Sequence, residues 1–129
     1  ILFISSECAY LVPPDMISYS ATKAALHAVS RGLANITKGT EVTSNIVVPG
    51  STLTEGARAF LTDKAAAKNI TLEEVEKDFF NNDRKSSLLK RFASTDEVAT
   101  MIAYLSSPLS SATNGAVIKV DGGSSGGIL

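Results

Sequence analysis

The stretch Ile1-Leu2-Phe3-Ile4-Ser5-Ser6 is followed, across a loop containing Pro13-Pro14, by Tyr19-Ser20-Ala21-Thr22-Lys23 and a long Ala-rich run. Four apolar residues in succession suit a strand covered on both faces, as in a parallel sheet flanked by helices. Ser5 to Pro14 reads as a loop, because the paired prolines exclude helix. Asp15 or Ser18 can cap the helix that follows, which the pattern carries to about Lys38, before Gly39. Thr40 to Val48, with Val42, Thr43, Ile46, Val47 and Val48, reads as a second strand stopped by Pro49-Gly50.

Beyond it, Thr54 to Lys68 is helix-like, and Thr71-Leu72-Glu73-Glu74 has the spacing of a capping box. Asn81 to Lys90 is polar and is expected to be mobile. Ser94-Thr95-Asp96-Glu97 starts a helix running to about Ser106, ahead of Pro108. Ala116 to Val120 is a third strand, closed by Asp121-Gly122-Gly123, and the tail Ser124 to Leu129 carries little local signal. Strand, helix, strand, helices, strand is the alternation of an α/β fold with about three parallel strands and crossover helices.

The 129 residues suffice for one small domain. Apolar residues make up 44%, charged residues 19%, and the net charge is −1, an ordinary globular balance with neither a nucleic-acid footprint nor a disordered composition. No apolar run reaches the roughly 18–20 residues a bilayer span requires, so no membrane partner is expected. A lone cysteine, Cys8, cannot form an internal disulfide, which fits a reducing cytoplasm. The chain opens on a strand pattern at Ile1 rather than on Met. A bare apolar edge strand invites aggregation, so more chain is expected upstream.

Tyr19 and Lys23, four residues apart on a helix, share one face. A phenol, with an unperturbed pKa of about 10, is a poor acid-base catalyst at neutral pH. A neighbouring ammonium favours the phenolate. Such a tyrosine can give its proton to a carbonyl oxygen or take one from an alcohol, and a serine hydroxyl beside it can hold the same oxygen. The spacing alone arises by chance on any helix. What gives it weight is its company: a strand-end serine before it, Pro-Gly after the next strand, Asp-Gly-Gly after the last.

That order resembles the short-chain dehydrogenase/reductase family from Ile1 to Gly123, and implies the C-terminal half of a doubly wound, Rossmann-like sheet. The resemblance assigns Ser6, thirteen positions before Tyr19, as the hydroxyl donor, Tyr19 as the acid/base, and Lys23 as the residue that lowers its pKa and bonds the nicotinamide ribose. It puts Val48-Pro49-Gly50 beside the nicotinamide, the Thr52 backbone on the carboxamide, and Thr54 facing the cofactor amide or phosphate. Asn114-Gly115 through Gly123 matches the last strand and its turn. The cofactor implied is NAD or NADP and the substrate a small carbonyl or alcohol. Tyr-x-x-x-Lys spacing points to carbonyl chemistry rather than to the enoyl reductase branch.

The family's Thr-Gly-x-x-x-Gly-x-Gly phosphate loop, the residue choosing NAD or NADP, and the Asn of its proton relay are absent from this chain. The chain alone is therefore expected to be inactive. Ala9 stands where Gly is common, and Glu7 and Cys8 are not family hallmarks.

Other residues are weighed against plainer roles. Ser5 is expected to shape the loop, His27 to pack, and Cys8 to be a small buried residue or to line the substrate pocket. Glu73, Glu74, Glu76 and Asp78 have no His or Cys beside them for a metal, so none is expected. Residues 53–92 are long for a connection and read as a lid over the substrate, with Phe60-Leu61, Phe79-Phe80 and Leu88-Leu89 as its apolar lining; the alternative is a fixed helical pair. The helix over 18–38 is apolar on more than one stripe, which fits a homo-oligomer through that helix. A different class of function, a non-catalytic dimerisation or association module, rests on the same feature.

Overall fold

The computed structural model describes residues 1–127. Three parallel strands, β1 (Leu2–Ile4), β2 (Asn45–Pro49) and β3 (Val117–Val120), lie in the order β1-β2-β3. Leu2 pairs with Asn45 and Ile46 with Val117. The central strand carries the core: Ile46, Val47 and Val48 are at most 1% exposed, each side chain contributing about 1.5–3 kcal/mol through burial.

Among the described residues, five α-helices accompany the sheet: α1 (Cys8–Leu11), α2 (Ile17–Ile36), α3 (Glu55–Lys68), α4 (Leu72–Asn82) and α5 (Thr95–Leu105). Helix α2 packs on β1 and β2, and α5 on β2 and β3. Helices α3 and α4 pack on each other around Leu61, Ala65 and Val75, with Leu53, Ile70 and Phe92 closing the cluster. The capping box expected at Thr71 forms with Glu74, and a second joins Ser94 to Glu97.

Three boundaries differ from the sequence reading. Ser5 to Pro14 is not all loop: it holds α1, and Pro14 starts a 3₁₀ turn, Pro14–Met16. Proline is tolerated there because its missing N–H would have no helical partner at the first position. Helix α2 has no side-chain cap from Asp15 or Ser18; its cap residue is Met16, and it ends at Ile36. The second strand begins at Asn45, not Thr40. The Thr40 hydroxyl donates to the Thr37 carbonyl and accepts the Val42 N–H, a local turn that takes the backbone out of extended pairing.

Asn45, fully buried, then ties the sheet together. Its amide donates to the Thr113 carbonyl and accepts the Ala116 N–H, while Asn114 Oδ1 accepts the Ser44 N–H. These bonds set where β3 begins against β2.

Candidate active site

The side chains singled out by the sequence lie at the C-terminal ends of β1 and β2. This is where open α/β sheets bind ligands, because the strand ends and following loops leave a crevice there. At the end of β1, Ser5 is buried and Ser6 half-buried. Ser5 Oγ donates to the Lys23 carbonyl at 3.0 Å and lies 2.9 Å from His27 Nε2, so it fastens the serine loop to α2. Ser6 Oγ accepts the Cys8 N–H at 3.2 Å, which leaves its own hydrogen free to donate.

Tyr19 sits in the first turn of α2, 40% exposed. Lys23, one turn on, puts Nζ 5.6 Å from the Tyr19 ring centroid and donates to the Ile4 carbonyl at 3.0 Å. The strand end therefore fixes the ammonium over the phenol ring, with two of its three hydrogens uncommitted among the described residues. Among the described residues no hydrogen bond joins Ser6 to Tyr19; loop and helix bring them to the same end of the sheet.

At the end of β2, the Pro49 carbonyl accepts the Glu7 N–H at 2.9 Å and the Gly50 N–H donates to the Val120 carbonyl at 3.0 Å. A Cβ on Gly50 would fall 2.6 Å from Asp121 Cα, so the turn needs glycine for its close approach to the third strand's end. Thr52 Oγ1 donates to the Gly50 carbonyl, and Thr52 bridges to Ala93. Thr54 caps α3, its hydroxyl accepting the Ala57 N–H at 3.1 Å. That bond fixes the side chain at a helix N-terminus, where backbone N–H groups favour negative charge.

The plainer roles are also visible. His27 packs edge-on against Tyr10, and burial lowers its pKa. Burial and Asp121 raise that of Tyr10, over whose ring Lys119 Nζ lies at 4.6 Å. Cys8 is buried and does not line the cleft described below. Among the acidic residues of α4, Glu74 closes the capping box, Glu76 accepts the Phe92 N–H, and Asp78 faces Lys68 at 3.5 Å.

The polar run from Asn81 to Lys90 is held at several points. The N–H groups of Leu88 and Leu89 both donate to the Gly122 carbonyl, Ser86 Oγ donates to the Ser124 carbonyl, and Lys90 Nζ donates to the Phe80 carbonyl. Of the three apolar pairs, Leu61 and Phe80 are buried, whereas Phe60 and Leu88 are 63% and 83% exposed. A cleft of about 490 Å³ opens between the serine loop and the α3-α4 pair. Pro13, Met16, Phe60 and Phe79 give it apolar walls, and Lys64 and Arg84 give it cations.

Glu7, Ser51 and Arg84 were not singled out in the sequence. The Glu7 carboxylate is buried, and its Oε1 accepts from Ser51 Oγ at 2.9 Å and Arg84 Nε at 3.0 Å. The one legible sign is a charge lodged among small residues in Ser5-Ser6-Glu7-Cys8-Ala9. Its cation lies 77 residues away, beyond any local pattern.

A family profile described as enoyl-(acyl carrier protein) reductase matches residues 1–125. The chain belongs to the short-chain dehydrogenase/reductase family. It is 44% identical over 123 residues to the uncharacterized oxidoreductase YvaG of Bacillus subtilis (strain 168), covering 95% of this chain and 47% of that protein. It is 32% identical to the chloroplastic NADPH-dependent aldehyde reductase 2 of Arabidopsis thaliana, covering 95% and 40%. Among solved structures, L-sorbose reductase from Gluconobacter frateurii complexed with NADPH and L-sorbose superposes with a TM-score of 0.86 at 25% identity, over 99% of this chain and 48% of that one. The chain spans about half the length of the curated relatives it matches.

Proposed function

We propose that the protein carrying this chain is an NAD(P)-dependent oxidoreductase that interconverts the carbonyl and alcohol forms of a small substrate. In this reading Tyr19 gives its phenolic proton to the carbonyl oxygen, or takes it back from the alcohol. Ser6 Oγ donates to the same oxygen and orients it. Lys23 stands over the Tyr19 ring and offers its remaining hydrogens to the ribose. The bound nicotinamide supplies or accepts the hydride.

The placement of Lys23 carries this reading: Nζ is anchored on the Ile4 carbonyl and stands over the Tyr19 ring. The hydrogens left on Lys23 suit a nicotinamide ribose, and that on Ser6 suits the substrate oxygen. The Thr52 backbone and Thr54 are assigned to the carboxamide and to the cofactor amide or phosphate. The part of the relatives that this chain does not match is assigned the remainder of the nucleotide, so the activity belongs to the whole protein. Although the matching profile carries an enoyl reductase description, the Tyr-x-x-x-Lys spacing supports carbonyl chemistry.

Tyr19→Phe in the whole protein tests the assignment, with NADPH and benzaldehyde as probes. The substitution is expected to lower kcat at least about a hundredfold while NADPH still quenches protein fluorescence or shifts its own. Turnover within a few-fold of wild type would sink it.

The rival reading, a non-catalytic association module, is supported by the outer face of α2, where Ile17, Val29 and Ile36 are 61%, 49% and 79% exposed. It shares with the first reading a homo-oligomer through the helix over 18–38. Sedimentation run beside a nicotinamide fluorescence titration separates them, since only the enzyme binds nucleotide.

A further inference from the structure

We propose that the cleft between the serine loop and the α3-α4 pair receives the substrate, and that Glu7 and Arg84 form a positioning clamp that sets it against Ser6. The inference rests on the carbonyl oxidoreductase reading and deepens it. Glu7 follows Ser6 directly and is 3% exposed. Its backbone N–H donates to the Pro49 carbonyl, and its carbonyl accepts from Tyr10 and Leu11 in α1. Its Oε1 accepts from Ser51, in the turn after Gly50, and from Arg84, just beyond α4. One residue thus ties together the serine loop, the proposed nicotinamide turn and the segment walling the cleft.

Arg84 is shaped for its side of the clamp. Its side chain is 16% exposed, its guanidinium lies 5.6 Å from the Phe79 ring, and Nη1 donates to the Asp83 carbonyl. It also lines the cleft with Pro13, Met16 and Phe60. Any movement of the 83–90 segment must therefore move Arg84 relative to Ser6's neighbour.

Stability does not account for such a pair. Desolvating both charges roughly offsets their attraction, and apolar replacements of buried pairs are often neutral or stabilising. Here the second carboxylate oxygen, Glu7 Oε2, is buried with no hydrogen-bond partner among the described residues. A carboxylate this incompletely satisfied points to a geometric role: with Arg84 and Ser51 both donating to Oε1, the serine loop and the cleft wall reach their working positions together.

The test uses the whole protein with NADPH and benzaldehyde, comparing Glu7→Gln, Arg84→Met and the double variant. Glu7→Gln keeps volume and the acceptor oxygen, and should raise KM for the aldehyde a few-fold. Arg84→Met should raise it roughly tenfold or more, and the double variant should be no worse than Arg84→Met, since coupled residues are not additive. Affinity for NADPH and kcat should stay within about twofold. Amide exchange at Leu88 and Leu89 should quicken in each variant. An unchanged KM beside a lowered Tm would overturn the clamp, as would additive losses in the double variant. Should Arg84→Met fail to fold, Glu7→Gln decides alone by the same KM criterion. Wild type without aldehyde turnover defeats the catalytic reading instead; the clamp then stands or falls on exchange at Leu88 and Leu89.

Discussion

Ser5 Oγ lies 2.9 Å from His27 Nε2 while donating its one hydrogen to the Lys23 carbonyl. The serine oxygen must then accept, so His27 carries its proton on Nε2. The bond joins the strand end to the helix turn that holds Tyr19 and Lys23. It gives the loop serine a task distinct from that of Ser6.

Ser5→Ala is accordingly expected to destabilise the fold by about 0.5–1.5 kcal/mol for each bond lost, because a part-buried carbonyl loses its second donor and a ring N–H loses its acceptor. Urea unfolding measures this, and a change under a few tenths would contradict it. His27 adds a pH signature. Its folded pKa is lowered by burial from 6.5, so the unfolded chain binds the extra proton first. Its contribution to stability is full above pH 6.5 and falls as pH drops below that value towards the folded pKa. His27→Gln should flatten that limb; an identical slope in the variant would exclude His27 as its source.

Gly50 and Gly32 make a matched pair of glycines with opposite expected signs. A methyl on Gly50 would meet Asp121 Cα at 2.6 Å and its carbonyl oxygen at 2.8 Å, backbone atoms that cannot swing aside. Gly50→Ala should therefore cost about 1–3 kcal/mol and weaken NADPH binding through the displaced turn. Gly32, inside α2, has nothing within 4 Å of the added carbon. Gly32→Ala should stabilise by about 0.5–1 kcal/mol. Thermal melts of the two variants check both signs.

What the sequence disclosed follows the range of the interactions. The strand at Ile46 to Val48, the capping box at Thr71, the helix start at Ser94, and the shared face of Tyr19 and Lys23 all depend on residues within one or two turns, and they were readable. The Thr40 turn was misread because β-branched residues favour strands, while the bonds that overrule them come from one hydroxyl's choice of partner. Helix α1 was hidden by its shortness, between a strand end and two prolines. Glu7 with Arg84, and Tyr10 with Lys119, join segments far apart in the chain. Nothing local marks such pairs, so the cleft's charged wall emerged only with the fold.

The Ser94–Glu97 box at the start of α5 offers a prediction in acid. Ser94 Oγ accepts the Glu97 N–H, Glu97 accepts the Ser94 N–H, and Arg91 grips both carboxylate oxygens at 2.7 and 2.9 Å. The Arg91 hydrogen bonds, followed by that from the Ser94 backbone, pull the Glu97 pKa down from 4.5 to about 2. A depressed carboxylate stabilises above its unfolded pKa, and the gain disappears as pH falls through the folded one. The loss is therefore expected between pH 4.5 and about 2. Glu97→Gln should remove the pH dependence in that window, leaving the other carboxylates to supply what remains. Ser94→Ala should cost about 1 kcal/mol at neutral pH through the lost cap. Because α5 packs on β2 and β3, whereas Tyr19 lies on α2, kcat should hardly change in either variant. A fall in kcat without a fall in Tm would instead tie the α5 cap to the site.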